Sequence, residues 1–235
     1  MEAQGPTKKK LRVLCFHGYR QNVDVFRDKT LKNFRQRCLN RLDIEYVYAL
    51  SPHRMEEASQ EEGMDIYKWW DTVPQSAYLT GGTATVGIDE TLEFIAKFIA
   101  DEEAKNGAFD GVLGYSQGGV LASLLCALAS TRIAAGEHDE LRHLRFDFKF
   151  GIFFCAFPVR AEPHKHVYEG LKDSQDMPTL HVWGQKDDLV PADYSKELVA
   201  LFPSAVTFEH PTGHVVPTNS PAKTAYISFL QKFAS

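Results

Sequence analysis

Three residues in this chain have the types and the order that nucleophilic catalysis needs: Ser116 in GVLGYSQGG, Asp187 in WGQKDDLVP and His214 in HPTGH. A serine hydroxyl is a weak nucleophile until a neutral imidazole takes its proton, and a carboxylate on the other ring nitrogen fixes the tautomer and stabilises the imidazolium. Read this way, Ser116 attacks a carbonyl carbon, His214 is the base and Asp187 orients it. Glycines at 114 and 118 suit a strained strand-to-helix turn, where side chains two positions either side of the serine would collide. That five-residue pattern arises by chance in roughly one chain in ten of this length, so its context carries the argument. It lies between a strand-like and a helix-like segment, and the three residues run Ser, Asp, His along the chain.

Two ambiguities attend this reading. Asp188 adjoins Asp187, and spacing hardly separates them. His210 competes with His214, but His210 ends a strand while His214 sits on the loop beyond Gly213, so Asp187 and His214 are preferred. An oxyanion also needs donors. The backbone N–H of Gln117 is one, and FHGYRQN can supply the other from Tyr19, with Gly18 allowing close approach and His17 bracing the loop.

The elements that must position these residues follow from hydrophobic spacing. Apolar strand candidates fall at 11–16, 44–50, 109–115, 149–157, 179–184 and 205–210. Helical periodicity falls at 23–40, 88–105, 117–130 and 192–202, and a closing helix starts near Ser220. Buried strands alternating with helices predict an α/β doubly wound fold with a mostly parallel sheet covered on both faces. Ligands in such sheets bind beyond the carboxyl ends of the strands, where all three residues fall. A single domain over 1–235 is expected, with 1–10 as a flexible tail and 51–87 as an insertion near the site. Loops of that length are usually functional or disordered. Its Trp69, Trp70 and Tyr78 either anchor it to the body or line a broad apolar substrate pocket.

Composition narrows the rest. With 44% hydrophobic residues and a net charge of -5, the chain can bury a core and shows no footprint for nucleic acid. Lys8 to Lys10 read as a solvated tail. No stretch is long and apolar enough to span a bilayer, and no apolar signal region follows the polar start, so a cytoplasmic location is expected. The four cysteines lack paired spacing and read as reduced core or near-core thiols. No metal site is expected: Pro211 and Gly213 break any helix that would align His210 with His214, and His164 and His166 read as surface or loop residues. The acidic pairs Glu56-Glu57 and Glu61-Glu62 read as a solvated face.

Taken together, LRVLCFHGYRQN, FDGVLGYSQGG, LHVWGQKDDLVP and HPTGHVVP resemble the FSH family of small serine hydrolases, including its animal esterases. The resemblance covers nearly the whole chain. It implies an α/β-hydrolase fold and carboxylic ester hydrolysis without cofactor, on small-molecule esters with long alkyl or acyl chains. It assigns the nucleophile to Ser116, the acid to Asp187 and the base to His214. Departures are Tyr115 for Phe, Gly119 for Ala, Cys155-Ala156 where Ser-Gly is usual, and Thr212 for a common glycine. A thioesterase or lysophospholipase would use the same machinery, and a non-catalytic ligand-binding protein is the alternative from another class.

Overall fold

The computed structural model describes residues 9–38, 42–79, 84–130, 144, 146–161, 164–173 and 177–234. Six parallel strands form the central sheet: β1 (Leu11–Phe16), β2 (Ile44–Ala49), β7 (Gly111–Tyr115), β8 (Phe150–Phe154), β9 (Thr179–Gly184) and β10 (Ala205–His210). Their order across the sheet is β10-β9-β8-β7-β1-β2. From β1 the chain goes first to β2 on one side and later to β7 on the other. The order therefore reverses between β1 and β7, which opens a crevice outside their carboxyl ends.

Both faces of the four inner strands are buried because these strands carry apolar side chains in alternation on each. On β1, Leu14 and Phe16 join the cluster that holds Val112, Leu92 and Leu121, whereas Leu11, Val13 and Cys15 join the one that holds Phe34, Leu180 and Tyr226. Helices α3 (Ile88–Asn106) and α4 (Gln117–Ser130) cover the first face, and α6 (Ser220–Leu230) covers the second. All of α4 except Ala129 is buried, as its nearly uniform apolar sequence requires. Helix α5 (Ala192–Leu201) packs beside β9 and β10, and α6 is capped by Asn219, whose Oδ1 accepts from Ala222 N at 3.0 Å. Among the described residues no helix is long and apolar enough to cross a membrane.

Some elements differ from the expectation. The helix expected over 23–40 is interrupted: after α1 (Val23–Val25) come wider π-type turns at Phe26–Thr30 and Phe34–Cys38. Phe26 and Leu31 are fully buried and five apart; the bond from Leu31 N to Phe26 O spans those five residues and stacks them on one face, which an α-turn would not. The run 149–157 is strand only to Phe154, because Cys155 takes φ +50°, outside the extended range. Residues 1–8 lie outside the described part. Lys9 and Lys10, expected in a loose tail, are tied by ion pairs from Lys9 to Asp110 at 2.5 Å and from Lys10 to Glu45 at 2.8 Å.

The insertion has elements of its own. Strands β3 (His53–Arg54) and β4 (Tyr67–Lys68) pair antiparallel around α2 (Glu56–Glu62), and β5 (Asp71–Val73) pairs with β6 (Ala84–Val86).

Candidate active site

Ser116 stands between the last residue of β7 and the first of α4, with φ +53°. A left-handed residue with a Cβ costs about 1–3 kcal/mol and persists only where its surroundings over-determine it. Here Ser116 N donates to Phe154 O at 2.8 Å, and Val120 N donates to Ser116 O at 3.0 Å. A Cβ on Gly114 would come within 2.0 Å of Gly118 O, and one on Gly118 within 2.3 Å of Phe16 O. The two glycines are steric clearance that lets α4 start hard against β1 and β7.

The acid and base candidates come from the ends of β9 and β10. His214 Nδ1 and Asp187 Oδ2 are 2.7 Å apart, and the Asp187 side chain is fully shielded from solvent. Its other oxygen accepts from Leu189 N at 3.0 Å and Val190 N at 2.8 Å. Burial alone would raise the Asp187 carboxyl. The bonds from His214, Val190 and Leu189 outweigh it and hold the group below the usual carboxylate value, so it is ionised. Asp188 faces solvent. His210 is buried with Nδ1 on Thr212 Oγ1 at 2.7 Å, so Thr212 holds the competing imidazole away from the cavity. Gly184 lets the histidine loop pass, since a Cβ there would lie 2.2 Å from Thr212 O.

Two side chains that spacing did not single out support the pair. Tyr115 donates its hydroxyl to His214 O at 2.8 Å, and its ring lies 5.0 Å from the imidazole. Cys155 is buried with its sulfur within 4.8 Å of the ligand atoms of Asp187 and His214. Burial, followed by the nearby Asp187 charge, pushes this thiol well up, so it stays protonated behind the pair. The adjacency of Tyr115 to the serine was the available signal for the first; nothing marked Cys155 beyond its departure from the family pattern.

The Tyr19 and Gln117 backbone N–H groups have no protein acceptor among the described residues. Tyr19 lies on the loop after β1, where Arg20 also takes a positive φ of 58°. His17 braces that loop from beneath: Nδ1 meets Gly18 O at 2.8 Å, Nε2 accepts from Ser51 N at 3.3 Å, and the ring stacks on Trp69 at 4.8 Å. Burial lowers the His17 pKa to about 4, so the imidazole is neutral.

The insertion is fastened over this loop by its backbone. Gln117 Oε1 accepts from Trp69 N at 2.9 Å while its Nε2 donates to Trp70 O at 2.8 Å. Arg20 N donates to Tyr67 O and Tyr67 N to Gln21 O, both at 2.9 Å. Thr91 on α3 donates its hydroxyl to Trp69 O. The clamping role of the Gln117 side chain was missed in the sequence, because one amide next to the serine carries no distinctive pattern.

Beneath the insertion is a cavity of about 500 Å³ lined by Tyr19, Trp70, Tyr78, Tyr115, Ser116 and His214, with Arg20, Asp71, Leu189 and others at its edges. The structure therefore brings Ser116, His214, Tyr19, Trp70 and Tyr78 to one space, with Asp187 one bond behind. Trp69 corrects the expectation for the tryptophan pair: it is fully buried, donates Nε1–H to His17 O at 2.8 Å, and does not line the cavity. His164, expected at the surface, is also buried, with Nε2 2.7 Å from Asp89 Oδ1.

A parallel sheet that reverses order above a left-handed serine, with a histidine–carboxylate pair on later strand ends, defines an α/β hydrolase. Solved structures agree on the fold, and at their identities on the fold alone: esterase PE8 superposes with a TM-score of 0.64 at 20% identity, covering 94% of this chain and 92% of that one. Acyl-protein thioesterase 2 of Zea mays superposes at 0.61 and 14% identity, covering 99% and 97%. The chain belongs to the serine hydrolase (FSH1) family, whose model matches residues 6–226. It is similar to Esterase OVCA2 of Danio rerio, 33% identical over 95% of this chain and 97% of the relative, and to that of Homo sapiens, 32% identical over the full length of both. Esterase CG5412 of Drosophila melanogaster is 31% identical over 94% of this chain and 74% of the relative.

Proposed function

We propose that this protein is a serine carboxylesterase that cleaves carboxylic esters with extended apolar chains through an acyl-enzyme intermediate. The observation that carries the reading is the left-handed Ser116 opening on the same cavity as His214, whose Nδ1 is bonded to the ionised Asp187. Nε2 of His214 takes the Ser116 proton as Oγ attacks the ester carbonyl carbon. The carbonyl oxygen gains the electron pair and accepts from the Tyr19 and Gln117 N–H groups, at the positive end of α4. When the tetrahedral intermediate collapses, the C–O bond to the alcohol breaks and His214 gives its proton to the leaving oxygen. A water activated by the same imidazole then attacks the acyl-enzyme, releases the acid and returns the proton to Ser116. The cycle needs a neutral imidazole and no cofactor. Trp70 and Tyr78 give the substrate chain an apolar wall.

The experiment is hydrolysis of nitrophenyl esters of increasing acyl length by the wild type and by Ser116→Ala. Ser116→Ala is expected to lose roughly three to six orders of magnitude in kcat. Each added methylene should raise kcat/KM at most about fourfold, from roughly 0.8 kcal/mol of burial. Undiminished turnover by Ser116→Ala would overturn the reading.

A further inference from the structure

Behind the cavity that Ser116 opens on lies a second, much smaller one. Trp70, Thr72 and Tyr78 line both, so these side chains are the partition between them. The small cavity holds about 10 Å³, room for one oxygen-sized atom. Val120, Phe157 and Val159 make much of its lining apolar. Tyr78, Thr85 and Arg160 line it too, and among the described residues Tyr78 Oη, Thr85 Oγ1 and Arg160 Nε are each buried without a hydrogen-bond partner. Unpaired buried polar atoms are rare in folded proteins, and three on residues that line one oxygen-sized space call for a common partner.

The chemistry of the three selects what fits. An arginine Nε only donates, and the tyrosine and threonine hydroxyls can both donate, so together they suit an acceptor. Burial raises the Tyr78 phenol, which therefore keeps its proton to donate. The Arg160 guanidinium already pairs with Glu197 and lies over the Tyr194 ring at 4.9 Å. Its charge is balanced and its position held, which favours a neutral oxygen over a second carboxylate. Tyr78 is held in turn by an edge contact to Phe157 at 5.2 Å.

We propose that Tyr78, Thr85 and Arg160 form a subsite for one neutral oxygen on the substrate chain, a hydroxyl or carbonyl remote from the ester bond. The proposal rests on the ester reading above and narrows it: the preferred substrate is an ester of an oxygenated chain, and the chain length that delivers the oxygen past Trp70 and Tyr78 is the preferred one.

The test compares plain and ω-hydroxylated chains, as nitrophenyl esters of the acids and as acetates of the alcohols, from short to long. In one of the two series the wild type should prefer the hydroxylated chain by about tenfold in kcat/KM at one optimal length, and not at others. Thr85→Val and Tyr78→Phe, which remove only a hydroxyl or exchange it for a methyl, should bring that ratio towards one. A wild-type ratio at or below one at every length in both series overturns the subsite, as does a ratio that both variants leave unchanged; the small cavity then holds a buried water alone. If neither series is hydrolysed the ester reading fails, and calorimetry of free ω-hydroxy and plain fatty acids and alcohols on Ser116→Ala decides the subsite separately. Tighter binding of the hydroxylated ligands, lost in Ser116→Ala with Thr85→Val, supports it. Equal binding overturns it.

Discussion

The strand ends and the insertion meet at Ser116, and different physics holds each. At the strand ends the constraint is exclusion: Gly114, Gly118 and Gly184 are where a Cβ would strike backbone at 2.0 to 2.3 Å. In the insertion the constraint is pairing: Trp69 N, Trp70 O, Trp69 O and Tyr67 N each find a partner on the body of the fold. A clash admits no compromise and forces glycine into the sequence. A hydrogen bond to backbone accepts almost any residue on the side that provides the backbone.

The largest expected effect sharpens the first half of that contrast. Gly118→Ala drives a methyl against Phe16 O and His17 O, and should cost about 4 kcal/mol or more in chemical denaturation. A variant within about 1 kcal/mol of wild type would break the steric account. Gln117→Ala tests the other half, since it leaves the buried Trp69 N–H and Trp70 C=O without partners. The expected cost is about 3 kcal/mol, with faster amide exchange over residues 67–73 and little change in β9. Gln117→Glu keeps an acceptor for Trp69 but buries a carboxylate against Trp70 O, so it should cost at least as much as the alanine.

Acidification should separate the two regions by pH. His17 joins the insertion to the β1 loop, and its pKa falls from 6.5 unfolded to about 4 folded. The unfolded chain binds the extra proton first. Stability is therefore complete above about pH 6.5 and declines as pH drops towards about 4, by roughly 3 kcal/mol at most. His181 on β9, lowered by burial to about 3, adds to the same global decline. Asp187 is depressed instead, so its contribution persists above the unfolded carboxylate value and is lost only as pH falls through the lower folded one. Amide exchange followed from pH 7 to 4 should show residues 67–70 loosening before 187–190; the reverse order would refute the assignment. The smallest effect is expected of Tyr115→Phe. Losing its bond to His214 O should cost about 1 kcal/mol, and kcat should fall a few-fold while KM stays nearly constant.

This contrast also explains what the sequence made legible. The parallel sheet showed in the apolar runs because both faces of β1, β7, β8 and β9 are buried. That Ser116 and His214 face one cavity, and that His214 pairs with Asp187, followed from where strands end. Spacing hardly separated Asp187 from Asp188 and the family resemblance made the choice; the fold supplies its physical reason, since Asp187 turns inward to His214 while Asp188 faces solvent. The interrupted helix after β1 was hidden because Phe26 and Leu31 fit an apolar stripe until the size of the turn between them is known. Trp69 and Trp70 looked alike as a pair, yet past the end of β4 Trp69 turns onto Phe16 and His17 while Trp70 faces the cavity. One became core and the other wall.

The manner in which Gln117 grips the insertion has a consequence for redesign. Because its amide reads main-chain atoms at Trp69 and Trp70, the neighbouring wall residues contribute side chains to the cavity without carrying that grip. Thr72, Gln75 and Tyr78 are thus positions where libraries of variants can reshape selectivity while the anchoring stays intact. The serine and its glycines offer no such latitude.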